Sequence, residues 1–171
     1  MQIPQPAENE DWYFREMRPK DAQAIFEINS DAVTCRFTVL ERQQSLPAIH
    51  SWIDYYPSYK RHGFGIWVIA HKQTHRALGL CGLRVRKDLN NAIDLSYRMH
   101  PAWRNLGIAS KAVKVCVAFG FTVLKLEQIL AQVHKENVIS ASILAKLGFE
   151  KGDLNGIWQN WILIQPTQKE K

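Results

Sequence analysis

A chain of 171 residues, 46% hydrophobic and 22% charged, suits one globular domain with an apolar core and excludes a disordered or fibrous polypeptide. A core of that size forms without disulfides or a structural metal, and no apolar run reaches the roughly 20 residues of a membrane-spanning helix. The 22 basic against 16 acidic residues leave a net charge of +6; this favours polyanionic partners in general, yet the charges are scattered and indicate no nucleic-acid-binding face.

In chain order, the polar start from Met1 to Asp11 lacks the basic-then-apolar pattern of a secretory signal, so a soluble, cytoplasmic protein is expected. Tyr13 to Glu16 reads as a short strand, and Pro19-Lys20-Asp21 opens a helix running to about Ser30. A second helix is predicted from Pro47 to Tyr56, stopping before Pro57. The run Ile66 to Ala70 is continuously apolar, as in a strand covered on both faces, and Leu78 to Val85 forms the next. From Asn91 to Met99 the pattern alternates: Ile93, Leu95, Tyr97 and Met99 face one way, Asp94, Ser96 and Arg98 the other. A helix is predicted over about Asn105 to Val123, a strand over Ile129 to Val133, and a helix over Val138 to Leu147, stopped by Gly148. The chain closes with a hairpin: Phe149 to Asp153, an Asn155-Gly156 turn, then Ile157 to Ile164. These elements give a mixed α/β fold in a single domain, 1–171, with its core at about 14–164. Cys35, Cys81 and Cys116 lie far apart without metal-ligand spacing and are expected to be buried free thiols.

Met99 to Ser110 joins a strand directly to a helix. Free N–H groups and the partial positive charge at a helix start bind phosphate. Gly107 removes a side chain where backbone must come close, and Arg104 adds a cation. The stretch Arg104-x-x-Gly107-x-Ala109 resembles the cofactor motif of the GNAT superfamily of N-acetyltransferases. Glu136-Asn137-Val-Ile-Ser140 and Lys146-Leu147-Gly148-Phe149 are similar to a second motif of its RimJ/RimL-like branch, as are Asp94-Leu-Ser-Tyr97 and Arg18-Pro-x-Asp21-Ala22. The resemblance covers about Phe14 to Ile164. It implies a central, mostly antiparallel twisted sheet of about six or seven strands flanked by about four helices, with acetyl-CoA as cofactor.

By that resemblance two central strands splay apart after Tyr97 to admit the pantetheine arm. The backbone N–H groups of Asn105, Leu106, Gly107, Ile108, Ala109 and Ser110, with Arg104 beside them, hold the pyrophosphate. The Met99 N–H is the candidate donor to the thioester oxygen. Asn137 bonds the arm and Ser140 supplies the thiolate's proton; in the residues alone, Asn137 reads equally as an N-cap and Ser140 as a packing residue. Where other members carry Glu or Tyr, this chain has Lys111, Gln132 and Leu144, and the segment after Gly148-Phe149 shrinks to Lys151–Gly156. Asp94 is expected at the acceptor site, with His134 and His100 as further titratable candidates. Trp52, Tyr55, Tyr56 and Tyr59 cluster around the second helix, which the resemblance sets beside the acceptor groove; these and Trp103, Trp158, Trp161, Arg36 and Phe37 read mostly as core or rim packing, with a minority as acceptor contacts. The acceptor implied is a primary amine, a protein N-terminus of the ribosomal-protein type first, an antibiotic or polyamine second; a non-catalytic acetyl-CoA-binding or ribosome-associated module is the other reading. A monomer or a homodimer fits the length.

Overall fold

A computed structural model describes residues 3–8, 10–38 and 45–165. Among these, seven strands form one sheet: β1 (Trp12–Arg15), β2 (Ile66–His71), β3 (Ala77–Arg86), β4 (Ala92–Met99), β5 (Gln128–His134), β6 (Glu150–Asn155) and β7 (Trp158–Ile164), in the order β1-β2-β3-β4-β5-β7-β6. Every neighbouring pair is antiparallel except β4 and β5. The described helices are α1 (Ala22–Ser30), α2 (Ala32–Arg36), α3 (Leu46–Asp54), α4 (Ser58–His62), α5 (Ile108–Thr122) and α6 (Val138–Lys146).

The continuous apolar run of β2 is explained by its place between two layers. Ile66, Val68 and Ala70 face one way and pack with Ile25 of α1 and Ile49 and Ile53 of α3. Trp67 and Ile69 face the other way into the cluster that includes Val113, Cys116 and Phe119 of α5. The rings of Trp67 and Phe119 meet edge to face at 5.5 Å, a favoured aromatic geometry. Burial on both faces, usual in parallel sheets, is achieved here by an antiparallel strand.

The helix beginning at Asn105 is corrected: Asn105 and Gly107 have φ of +61° and +73°, outside the right-handed helical region, so α5 starts at Ile108. The helix over Pro47–Tyr56 is found as α3, ending two residues early at Asp54. Two short helices, α2 and α4, fall where no element was predicted; at five residues each they are too brief to show helical periodicity. Local polar bonds hold α2, as the Asp31 carboxylate accepts the Thr34 N–H at its start. Cys81 and Cys116 are buried as expected, with sulfurs 3.5 Å apart, whereas Cys35 is partly exposed because it lies at the surface of α2.

Candidate active site

Strand β4 shapes the site through its alternation. Leu95 and Met99 are buried on the α5 side, with Tyr97 packed against them, while Asp94, Ser96 and Arg98 project to the opposite face. The backbone alternates as well. His100 N–H bonds to the Leu78 carbonyl at 2.9 Å, and Met99 lies opposite Gly79. Hydrogen-bonded and non-bonded pairs alternate in an antiparallel ladder, so the Met99 N–H turns away from β3 and towards β5. There it meets an opened seam. Among the described residues β4 and β5 share one registered pair, Asp94 with Leu130, and beyond it the strands diverge.

The divergence opens a cavity of about 710 Å³, lined by β4, β5, the loop entering α5 and the start of α6. Asp94, Met99, Arg104, Asn105, Leu106, Gly107, Ile108, Ala109, Ser110, Asn137 and Ser140 all line it, so the structure brings these eleven residues to one space. At the start of α5 the Lys111 N–H bonds to the Gly107 carbonyl. The N–H groups of Ile108, Ala109 and Ser110 precede that first turn and have no helical acceptor. A side chain at Gly107 would meet no atom within 4 Å; the space beside these donors is open.

Arg104 is turned differently from the expectation. Its guanidinium bonds to Asp31 at 2.5 Å and Thr34 at 3.0 Å, and reaches the Met99 carbonyl at 3.4 Å. It thus clamps α2 onto the end of β4. Burial pushes the Asp31 carboxyl up, but the Arg104 hydrogen bond and the Thr34 N–H outweigh it and hold it below its ordinary value. Lys111 lies outside the cavity and pairs with Glu10 at 2.7 Å.

At the other wall Asn137 caps α6, its side-chain oxygen accepting the Ser140 N–H at 3.1 Å. Ser140 Oγ lies 2.6 Å from the Tyr97 hydroxyl, a bond no sequence spacing signals because the partners are 43 residues apart. Burial pushes the Tyr97 phenol well above its usual range, against the opposing effect of Ser140; it stays protonated at neutral pH. Asp94 is 2% exposed and accepts from Arg84 Nε at 2.7 Å, with Arg86 at 3.7 Å. Burial raises its carboxyl, and the two arginines only partly offset that.

The remaining candidates disperse. His100 bonds Glu27 at 2.9 Å, His134 packs between Phe37 and Trp158, and neither lines the cavity. Gln132 lines it and donates to Asn160, while Leu144 is fully buried. Tyr56 and Tyr59 bond the backbone of Ile66 and, like Trp52 and Tyr55, lie off the cavity; Phe37, Trp103 and Trp158 are on its wall. Arg36 pairs with Glu136 at the surface, and Trp161 is buried.

A family model described as an acetyltransferase (GNAT) domain matches residues 12–150. The chain belongs to the GNAT acetyltransferase family. YoaA of Bacillus subtilis, described as an uncharacterized N-acetyltransferase, is 31% identical to this GNAT protein over 139 residues, 80% of this chain and 78% of its own. The fold is shared with the ribosomal-protein-S5-alanine acetyltransferase of Vibrio fischeri, at a TM-score of 0.75 and 20% identity over 96% of this chain and 99% of that one. It is shared equally with a spermidine N-acetyltransferase of Vibrio cholerae, solved with CoA and spermine, at a TM-score of 0.76 and 17% identity over 92% and 97%.

As a member of this family the chain is an N-acetyltransferase, and its cofactor is acetyl-CoA. The cavity suits that group on three counts. Its size is that of a cofactor site, the unbonded N–H groups before the first turn of α5 suit phosphate oxygens, and the opened seam offers backbone groups to the amides of a pantetheine arm.

Proposed function

We propose that this acetyltransferase moves the acetyl group directly to an α-amine, that of a protein or peptide N-terminus, in the manner of the RimJ/RimL-like branch. Bound acetyl-CoA supplies an activated acyl group. The Met99 N–H, aimed into the seam, donates to the carbonyl oxygen on which charge develops. The N–H groups from Asn105 to Ser110 hold the phosphates, and the Asn137 amide steadies the arm. Ser140 Oγ, held at 2.6 Å by the Tyr97 hydroxyl, would supply the proton that the CoA thiolate needs, and the proton that the amine loses on becoming an amide would restore it, so that both hydroxyls end as they began.

The observation that carries the choice of acceptor is the state of Asp94. Among the described residues it is the one carboxylate on the cavity wall, and Arg84 and Arg86 engage it, so its place is to shape the acceptor end while the amine arrives already deprotonated. An α-amine has a pKa of about 7.7–8.0 against about 10.4 for lysine, a neutral fraction roughly two- to four-hundredfold larger near neutral pH. The Vibrio fischeri enzyme, named for an alanine of a ribosomal protein, a residue whose side chain has no amine, supports this reading. The spermidine enzyme offers the contrasting acceptor, but a polycation would enter a wall carrying Arg84, Arg86, Arg98 and Arg104.

Release of free thiol from acetyl-CoA tests the proposal with three acceptors: a peptide with a free N-terminus, an N-blocked peptide with one lysine, and spermidine. The free N-terminus should be acetylated with a kcat/KM at least about tenfold above the others. Preference for spermidine or lysine would end the α-amine reading.

A further inference from the structure

On the face of β4 opposite Tyr97, three rungs of the sheet follow one another: Asp94 beside Arg84, Ser96 beside Gly82, and Arg98 beside Leu80. Side chains two apart on a strand share a face. Arg84 and Arg98 therefore stand on either side of the Ser96 rung; at Gly82 the backbone of Gly65 closes over the strand, so the side open to the cavity is that of Ser96. Arg84, Ser96 and Arg98 all line the cavity.

The charges here are unequal in their partners. Arg84 is held by Asp94, Arg86 by Asp88, and Arg104 by Asp31. Arg98 alone of the four has no carboxylate partner among the described residues; it donates from Nη1 to the Asn29 side-chain oxygen at 2.9 Å. A guanidinium carries five N–H donors in a planar fork, and this bond uses one. Enclosure by the protein, and then the like charge of Arg84, hold Arg98 down at about 10, so it remains a cation at neutral pH with a repulsive neighbour. A carboxylate placed over Ser96 answers both guanidinium groups, in the geometry arginine recognises best.

We propose that Arg98, with Arg84, binds a carboxylate of the acceptor close to its reacting amine, so that the enzyme selects acidic α-amines. This rests on the α-amine reading and narrows it. The carboxylate belongs either to an acidic first side chain or to the α-carbon of a free amino acid, and two matched pairs separate these sources. One pair is a peptide beginning with Asp and the same peptide beginning with Asn; the other is alanine and alaninamide.

The test compares the acid-to-amide ratio of kcat/KM in wild type, Arg98→Gln and Arg98→Lys, so differences in amine basicity cancel. In at least one pair the ratio should fall about tenfold or more in Arg98→Gln, the size of a lost charge-assisted contact, and Arg98→Lys should restore part of it. A stabilising shift of each variant by acetyl-CoA shows that it is folded. A ratio unchanged by Arg98→Gln in both pairs overturns the proposal. A fall confined to alanine keeps the carboxylate site and removes the acidic first side chain as the source of the carboxylate. If no α-amine turns over at all, the melting temperature of the CoA-loaded protein decides, with N-acetylalanine against N-acetylalaninamide and with the α-amide of N-acetylaspartate against that of N-acetylasparagine. A shift with the acid alone, lost in Arg98→Gln, keeps the site and ends the α-amine reading; equal shifts, or none, end both.

Discussion

At Ser140 the hydroxyl has two neighbours that give it a direction: the Asn137 cap fixes its backbone and the Tyr97 phenol fixes its Oγ. Ser140→Ala should lower kcat by roughly 10²-fold, the lower end of what a positioned proton donor contributes, while the acetyl-CoA dissociation constant measured by titration changes little. Because burial raises the Tyr97 phenol, that residue contributes no titration to the rate below about pH 10. With Asp94 engaged by arginines, the acid limb of kcat/KM should follow the acceptor. It should rise with pH through about 7.7–8.0 for a peptide α-amine and move upward with the pKa of a more basic amine; a limb that stays fixed across acceptors would point to an enzyme base instead. The residue types at Asn137, Ser140 and Gly107 were legible because a motif with ordered spacing marks them. The partners of Arg98 and Arg104 were not: Asn29, Asp31 and Thr34 lie about seventy residues away, and only the packing of α1 on β3, with α2 following it, brings them close.

The loop entering α5 and the short α2 work as a unit at the scale of elements. Asp31 caps α2 and binds Arg104; asparagine keeps a cap oxygen but loses the charge, so Asp31→Asn should cost up to about 1 kcal/mol at neutral pH, the size of a partly exposed ion pair. Its folded pKa is depressed, so the stabilisation is present above the ordinary carboxylate pKa of about 3.9 and is lost as pH falls through the folded value. Denaturant unfolding of both proteins at neutral and acid pH should show the difference shrinking on the acid side. Gly107 carries a different load, its φ of +73° being the left-handed region that disfavours a Cβ. Gly107→Trp should fill the space before α5 and abolish the rise in melting temperature that acetyl-CoA gives wild type, since a ligand of the native state alone stabilises it. The strand pattern and the long α5 were readable from periodicity. The start of α5 was not, because Asn105 and Gly107 sit in a motif whose composition resembles a first helical turn, and only their positive φ separates loop from helix.

For the molecule as a whole, one buried charge pair fastens the N-terminal strand to the helical layer. Arg15 grips both oxygens of Asp21 at 2.6 and 2.7 Å, the side chains are 5% and 3% exposed, and the Arg18 N–H adds a third bond at 2.8 Å. Asp21→Asn leaves a buried cation without its counter-charge and should lower the unfolding free energy by about 3–5 kcal/mol, a large part of the roughly 5–15 kcal/mol a domain commands; chemical denaturation measures it directly. The solitary rung between Asp94 and Leu130 has a further consequence at this scale. It leaves two edges inside the sheet, where other proteins keep edges at the periphery. Two half-sheets, β1 to β4 and β5 with β7 and β6, are therefore distinct candidates for cooperative units, and amide hydrogen exchange should find them opening with separate free energies. Where the interior edges face each other, the amides of Tyr97 and Met99 should exchange faster than those of His100 and Arg98, which bond across to β3, and should slow when cofactor fills the gap like a missing strand.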